Sequence, residues 1–294
     1  MSGLAMLELA ALVALLRRSA ANWSEVVLDI QETGSATQVL DQALRQPEAL
    51  FPDPTSSADD LISAAADEIA GWRADGIGVH AYFDDSYPAQ LRGIKEAPPL
   101  LFTRGELRPN DRAIAVIGSR KASARGSGIA RSVAETLANR GVTVASGLAH
   151  GIDTAAHTAA LAAGGRTVAV IGTGIRNYYP PANRRLQDHI ADVGLVVSQF
   201  RPDAGPTRQS FPMRNAVMSG YAAATLVVEA GETSGARIQA RLALGQGRPV
   251  ILTSHVMRSR WAQAFATRPG VHVVRSTAEL IEAVDGILNR LPLT

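Results

Sequence analysis

Short, mostly apolar runs recur through the second part of the chain, at 113–117, 142–146, 167–171, 195–198, 225–229, 249–252 and 271–274. A run without a polar face predicts a strand buried on both sides. Amphipathic stretches fill the gaps and predict helices over 125–140, 153–163, 183–191, 213–221, 235–246 and 258–267, with a last one near 277–289. Apolar strands alternating with helices predict an α/β fold, a doubly wound, mostly parallel sheet of Rossmann-like type. Right-handed crossovers then set the turns that follow these strands along one edge.

The first part of the chain has a different rhythm. Leu4, Leu7, Ala11, Val13 and Leu15 repeat at helical spacing, as do Trp23, Val26, Val27 and Ile30, and then Val39, Leu40 and Leu44. Pro47, Pro52 and Pro54 interrupt the pattern, and 55–59 reads as a linker ending in a helix cap. A further amphipathic helix covers 61–72. The predicted organisation is a helical module over 1–75 and a Rossmann-like domain over 76–294, with its core at 112–252 and a less typical part at 253–294.

Charge follows the same division. Residues 1–100 hold 15 acids and 6 bases, and residues 101–294 hold 12 acids and 23 bases, so a net charge of +2 conceals halves of −9 and +11. A basic main domain suits a polyanionic ligand, and from charge alone ordinary solvated helix arginines are the commoner explanation of such a count. The chain contains no cysteine, which excludes disulfides and thiolate chemistry. No apolar stretch reaches membrane-spanning length and no signal-peptide pattern opens the chain, so a cytoplasmic location is expected.

Candidate chemistry lies at the strand ends. Gly118-Ser119 follows the first strand of the α/β part, Ser146-Gly147 the second, and Gly172-Thr173-Gly174 the third. Glycine there admits either a ligand or a tight turn. Neither the G-x-G-x-x-G fingerprint after the first strand nor a P-loop is present, which disfavours dinucleotide binding and ATP hydrolysis. Arg120 and Lys121 directly follow the first turn and fit phosphate contact or a surface pair. Arg214 and Asn215 open a later helix, where Asn is commonly a cap. Tyr178, beside Tyr179 and two prolines, fits base stacking or loop packing. Asp153 and His157 share a helix face without a third ligand, which favours a capping Asp and an ordinary His over a metal site. No cofactor is expected.

Taken in order, GSRKASARG (118–126), SGLAHGIDTAAH (146–157), TVAVIGTGIRNYYPPANRRL (167–186), FPMRNAVMSG (211–220) and VVEAGETSGARIQARLALGQGRPV (227–250) resemble the DprA/Smf family of DNA-processing proteins. The resemblance covers about 82–252. It implies a Rossmann-like domain that binds single-stranded DNA without turnover, protects incoming DNA in natural transformation, helps load a RecA-type recombinase and acts as a homodimer. Carried over by motif, the DNA-binding positions are Gly118, Ser119, Arg120, Lys121, Ser146, Gly147, Gly172, Gly174, Arg214 and Asn215. The chain departs from the family pattern at Ala216, where a second arginine is usual, and throughout the segment after Val250. Two other readings stand beside this one. One is a sensor of a small nucleotide. The other is a nucleoside-monophosphate phosphoribohydrolase of the related lysine decarboxylase-like group, whose catalytic acid would fall near Gln239.

Overall fold

A computed structural model describes residues 3–18, 23–45 and 57–290. The chain forms two compact units, Met1–Tyr87 with Lys95–Phe102, and Pro88–Ile94 with Thr103–Thr294. The first unit holds α1 (Gly3–Arg18), α2 (Trp23–Thr33), α3 (Ala36–Arg45), α4 (Ala58–Ala74) and β1 (Gly78–Ala81). Leu9 to Leu15 of α1 are all buried. The polar residue just before them, Glu8, accepts from the backbone N–H of Ala36 at 2.5 Å and from the hydroxyls of Ser35 and Thr37 at 2.9 and 2.8 Å. A carboxylate thus closes the start of α3, where free N–H groups favour negative charge. Ser57 caps α4 in a reciprocal box with Asp60, as the sequence suggested for this cap. The proline-bearing linker at 47–56 lies outside the described residues.

The short α5 (Ala89–Arg92) belongs to the second unit, and β2 (Leu100–Gly105) runs across the division. From there the alternation is regular: β3 (Ala113–Gly118), α6 (Ala124–Asn139), β4 (Thr143–Ser146), α7 (Ile152–Ala162), β5 (Thr167–Val170), α8 (Arg184–Val193), β6 (Leu195–Ser198), α9 (Ser210–Tyr221), β7 (Ala224–Glu229), α10 (Gly235–Gly245), β8 (Val250–Thr253), α11 (Arg260–Phe265), β9 (Val271–Val274) and α12 (Thr277–Leu288). Strands β3 to β9 lie in the order β6-β5-β4-β3-β7-β8-β9 and every pairing among them is parallel. This is the doubly wound sheet the alternation predicts.

Both faces of β3 are covered. Ile114 and Val116 pack with Ala130, Val133 and Leu137 of α6 and with Ile152 and Ala156 of α7. Ala113, Ala115 and Ile117 point the other way and are also buried. A fully buried Ile or Val side chain contributes about 1.5–3 kcal/mol, so a strand of this kind has no face to spare for water. Helix α9 starts three residues earlier than the pattern suggests. Pro212 sits in its first turn, where a missing N–H costs nothing. The chain leaves β3 towards β4 on one side and returns as β7 on the other. The β3/β7 boundary is therefore the point where the winding reverses.

Candidate functional site

A cleft of about 380 Å³ opens at that reversal point, at the carboxyl ends of β3 and β7. Ile117 to Lys121 form one wall, residues of 231–236 in the turn after β7 and the start of α10 form the other, and Arg214 and Asn215 of α9, Asp153 and Gln239 also line it. The first wall is held by its own backbone. Ser119 N–H donates to Glu229 O at 2.7 Å, Ser119 O accepts from Ile152 N–H at 3.2 Å, and Ser119 Oγ accepts from Lys121 N–H at 3.1 Å. Arg120 and Lys121 extend from this pinned turn into solvent.

Arg120 has a defined seat. Its guanidinium lies 5.2 Å from the ring centre of Phe211, and Phe211 lies 5.3 Å from Tyr179. A cation over an aromatic face gains about 0.5–1 kcal/mol when exposed. Phe211 thus links Arg120, on the cleft wall, to Tyr179, and its ring lies against Gly172 just after β5.

Beside the cleft is a buried polar cluster. Arg214 is 5% exposed, and its Nη1 donates to Gly147 O at 2.5 Å and Val170 O at 2.7 Å, while Nε donates to Asn215 Oδ1 at 3.0 Å. Asp153 accepts from the N–H groups of Gly147 and Ala149 at 3.2 and 3.3 Å. Burial pushes the Asp153 carboxyl above its usual range, and the Arg214 charge opposes that shift. Burial also lowers Arg214 to about 10, with Asp153 holding it up. His157 is wholly buried on the same helix as Asp153 and shares a 2.7 Å hydrogen bond with Thr167 Oγ1. Since the Thr167 hydroxyl donates to Val144 O at 2.7 Å, His157 Nδ1 carries the proton and donates. Among the described residues no group of three His, Asp or Glu side chains is placed to hold a metal.

Burial, with Arg214 adding to it, lowers His157 from 6.5 to about 3. A depressed base binds its proton more readily unfolded, so its stability contribution is complete above pH 6.5 and is lost as pH falls toward 3. We expect His157→Gln to remove most of this acid sensitivity. The check is Tm against pH for both proteins, and parallel curves across that window would contradict the expectation.

The residues singled out from sequence fall into two groups. Gly118, Ser119, Arg120, Lys121, Arg214 and Asn215 line the cleft together. Ser146, Gly147, Gly172, Gly174 and Tyr178 do not line it. The Ser146 side chain is fully buried and donates to Val116 O at 2.7 Å. The glycines make room for protein rather than leaving an open approach for a ligand. A Cβ on Gly118 would meet Ile152 at 2.6 Å, one on Gly172 would meet the Phe211 ring at 2.9 Å, and those on Gly147 and Gly174 would strike Arg214 and the Arg201 carbonyl. Tyr178 donates its hydroxyl to Asp188 at 2.8 Å, and Arg184 covers its ring at 4.6 Å. The more exposed ring on this loop is Tyr179. Thr233, Ser234 and Phe211 were not singled out as binding positions, and Gln239, which also lines the cleft, was named only for the hydrolase reading. The signal for the first three was the G-E-T-S-G turn after β7 and the aromatic at the start of α9, neither of which says which strand end it will face.

The fold and the cleft define a Rossmann-like protein with a cationic, aromatic-edged opening at its switch point. The chain belongs to the DNA recombination-mediator protein A family, whose model matches residues 78–292. It is 45% identical over 171 residues to the DNA processing protein DprA of Streptococcus pneumoniae, a span of 57% of this chain and 59% of that one. It is 32% identical over 226 residues to the DNA processing protein DprA of Bacillus subtilis, covering 76% and 74% of the two chains. The X-ray structure of the Streptococcus pneumoniae protein matches with a TM-score of 0.73 at 29% identity, over 92% of this chain and 95% of that one. DNA processing protein A of Helicobacter pylori, solved for its single-stranded DNA binding mode, shares the fold with a TM-score of 0.62 at 22% identity, over 73% and 95%.

Proposed function

We propose that the chain binds single-stranded DNA along the carboxyl edge of its sheet, without turnover, as a mediator of DNA processing and recombination. The observation that carries this is Arg120, beside Lys121 on the wall of the switch-point cleft, seated on Phe211, which in turn touches the exposed Tyr179. A cation line holds phosphates irrespective of sequence, and adjoining rings accept any base face. Arg120 and Lys121 take the backbone. Arg214 adds positive potential from below while it holds the Gly147 carbonyl behind the cleft, and Gly118, Ser119 and Asn215 shape the cleft. Ser146, Gly147, Gly172, Gly174 and Tyr178 support the surface on which the strand lies. The Helicobacter pylori protein of the same fold, whose structure describes a single-stranded DNA binding mode, adds weight to this reading.

Delivery of the bound strand to a RecA-type recombinase, action as a homodimer, a cytoplasmic location and a helical module over 1–75 complete the proposal by family likeness. No helix of the described residues is long and apolar enough to cross a membrane. The hydrolase reading is weaker. The acid among the residues lining the cleft is Asp153, which is buried and held by backbone N–H groups, and Gln239 has no acid–base capacity. The test is a titration with oligo-dT, duplex DNA and nucleoside monophosphates, the last with a readout for released base. We expect tight binding to oligo-dT, weaker binding to duplex and no released base. Base release that disappears on changing one cleft residue would favour the hydrolase.

A further inference from the structure

In a dinucleotide-binding fold the helix after the first strand of the winding offers its N-terminus to a phosphate. Here that helix is α6, and its start already holds an anion. Glu229, the last residue of β7, places its carboxylate over the first turn. Ser123 N–H donates to both carboxylate oxygens, at 3.1 and 3.3 Å, and Ser123 Oγ donates at 2.6 Å. The same hydroxyl oxygen accepts from Gly126 N–H at 2.9 Å, which makes Ser123 the N-cap. The carboxylate lies so close to the first turn that a Cβ on Gly126 would displace its outer oxygen. On its other side His255 Nε2 donates to Glu229 at 3.1 Å, with the two side chains 10% and 19% exposed. His255 comes from the segment after β8, the part of the chain that departs from the family pattern.

Burial would raise the Glu229 carboxyl, but the Ser123 hydrogen bonds and His255 outweigh it and hold the group below its usual range. The occupant is therefore an ionised carboxylate, the chemical stand-in for a phosphate at a helix start. The cleft lining fits this. It includes Ser119 to Lys121 and the start of α10, and it includes no residue of α6.

We propose that Glu229 is a specificity-determining residue whose carboxylate fills the phosphate position at the start of α6, so that the cleft rejects nucleotide phosphates anchored there and admits an anion only along the Arg120–Lys121 wall. Absence of the G-x-G-x-x-G fingerprint removes the loop that would wrap such a phosphate, and Glu229 fills the space that remains. The Glu229 carboxylate excludes such phosphates whether or not a DNA strand binds beside it.

The test titrates inorganic pyrophosphate into the full chain and follows the amide resonances of residues 123–127 together with Tm. In the wild type these amides are expected to stay unmoved. Glu229→Ala empties the position, and saturable shifts at the same amides with an affinity gain on the order of tenfold are expected. Glu229→Gln keeps the position filled and is expected to behave as the wild type. Wild-type shifts at 123–127 would overturn the proposal, and so would a folded Glu229→Ala protein that shows none. Should Glu229→Ala fail to fold, the wild-type titration still decides. Oligo-dT affinity measured on the same samples reports separately on the polymer reading, so loss of one result leaves the other standing.

Discussion

Arg120→Ala is expected to weaken oligo-dT binding by roughly 10- to 100-fold, the range set by about 1.5–3 kcal/mol for a charge-assisted contact. The salt dependence should soften as well, because each neutralised phosphate on a single strand contributes about 0.7 to the slope of log affinity against log salt. Lys121→Ala should lower the slope similarly, since both side chains leave the same pinned turn and reach solvent. Phe211→Ala provides the contrast. It removes the ring under Arg120 and beside Tyr179, so affinity should fall by about 1–3 kcal/mol with little change of slope. Tyr178→Ala should lower stability rather than affinity, because its hydroxyl and ring are engaged by Asp188 and Arg184. Affinity measured against salt for these four variants decides. Unchanged binding in Arg120→Ala and Lys121→Ala together would place the strand elsewhere on the molecule.

Arg214→Met is expected to cost about 3 kcal/mol of folding stability, on the order of what two buried carbonyls left without a charged donor lose. The change keeps most of the side-chain volume. It leaves the carbonyls of Gly147 and Val170 without their donor and Asp153 without a countercharge. Burial already raises the Asp153 carboxyl, and losing Arg214 raises it further. A raised acid contributes stability that is present below the unfolded carboxylate value of about 4 and is lost as pH rises through the folded value. The deficit of Arg214→Met should therefore be largest at neutral pH and shrink on acidification. Adding Asp153→Asn should recover part of it. Denaturant unfolding at two pH values, for both single variants and the double, measures this. A deficit of less than about 1 kcal/mol would show that Arg214 is not a member of the buried network.

Both predictions depend on where the cations ended up, and this was only partly legible beforehand. The run at 113–117 carries no polar face, and 225–229 is apolar between Thr225 and Glu229, so burial on both sides, and hence a helix-covered parallel sheet, follows from the residues themselves. The turn after β3 was equally legible, because a short apolar run meeting glycine and then Arg120-Lys121 has to end at the sheet's edge. The fate of Arg214 was not. An arginine in the first turns of a helix reads as exposed, and its burial arises from carbonyls at Gly147 and Val170, 67 and 44 residues away in the chain.

The sequence by itself determined the strand–helix alternation, the parallel winding, the helical first part and the identity of the exposed cations at the turn after β3. Those are local properties, written in the spacing of apolar side chains and in the chemistry of a few consecutive residues. The tertiary structure alone decided that β7 lies against β3, which brings 231–236 opposite 117–121 and makes the cleft. It also decided that Phe211 links Arg120 to Tyr179, that the strand-end glycines are filled by protein, and that Glu229 closes the start of α6. Strand order and side-chain neighbours depend on how helices pack over both faces at once. A periodic pattern reports which face of an element is buried, and it carries no record of which distant element will cover it.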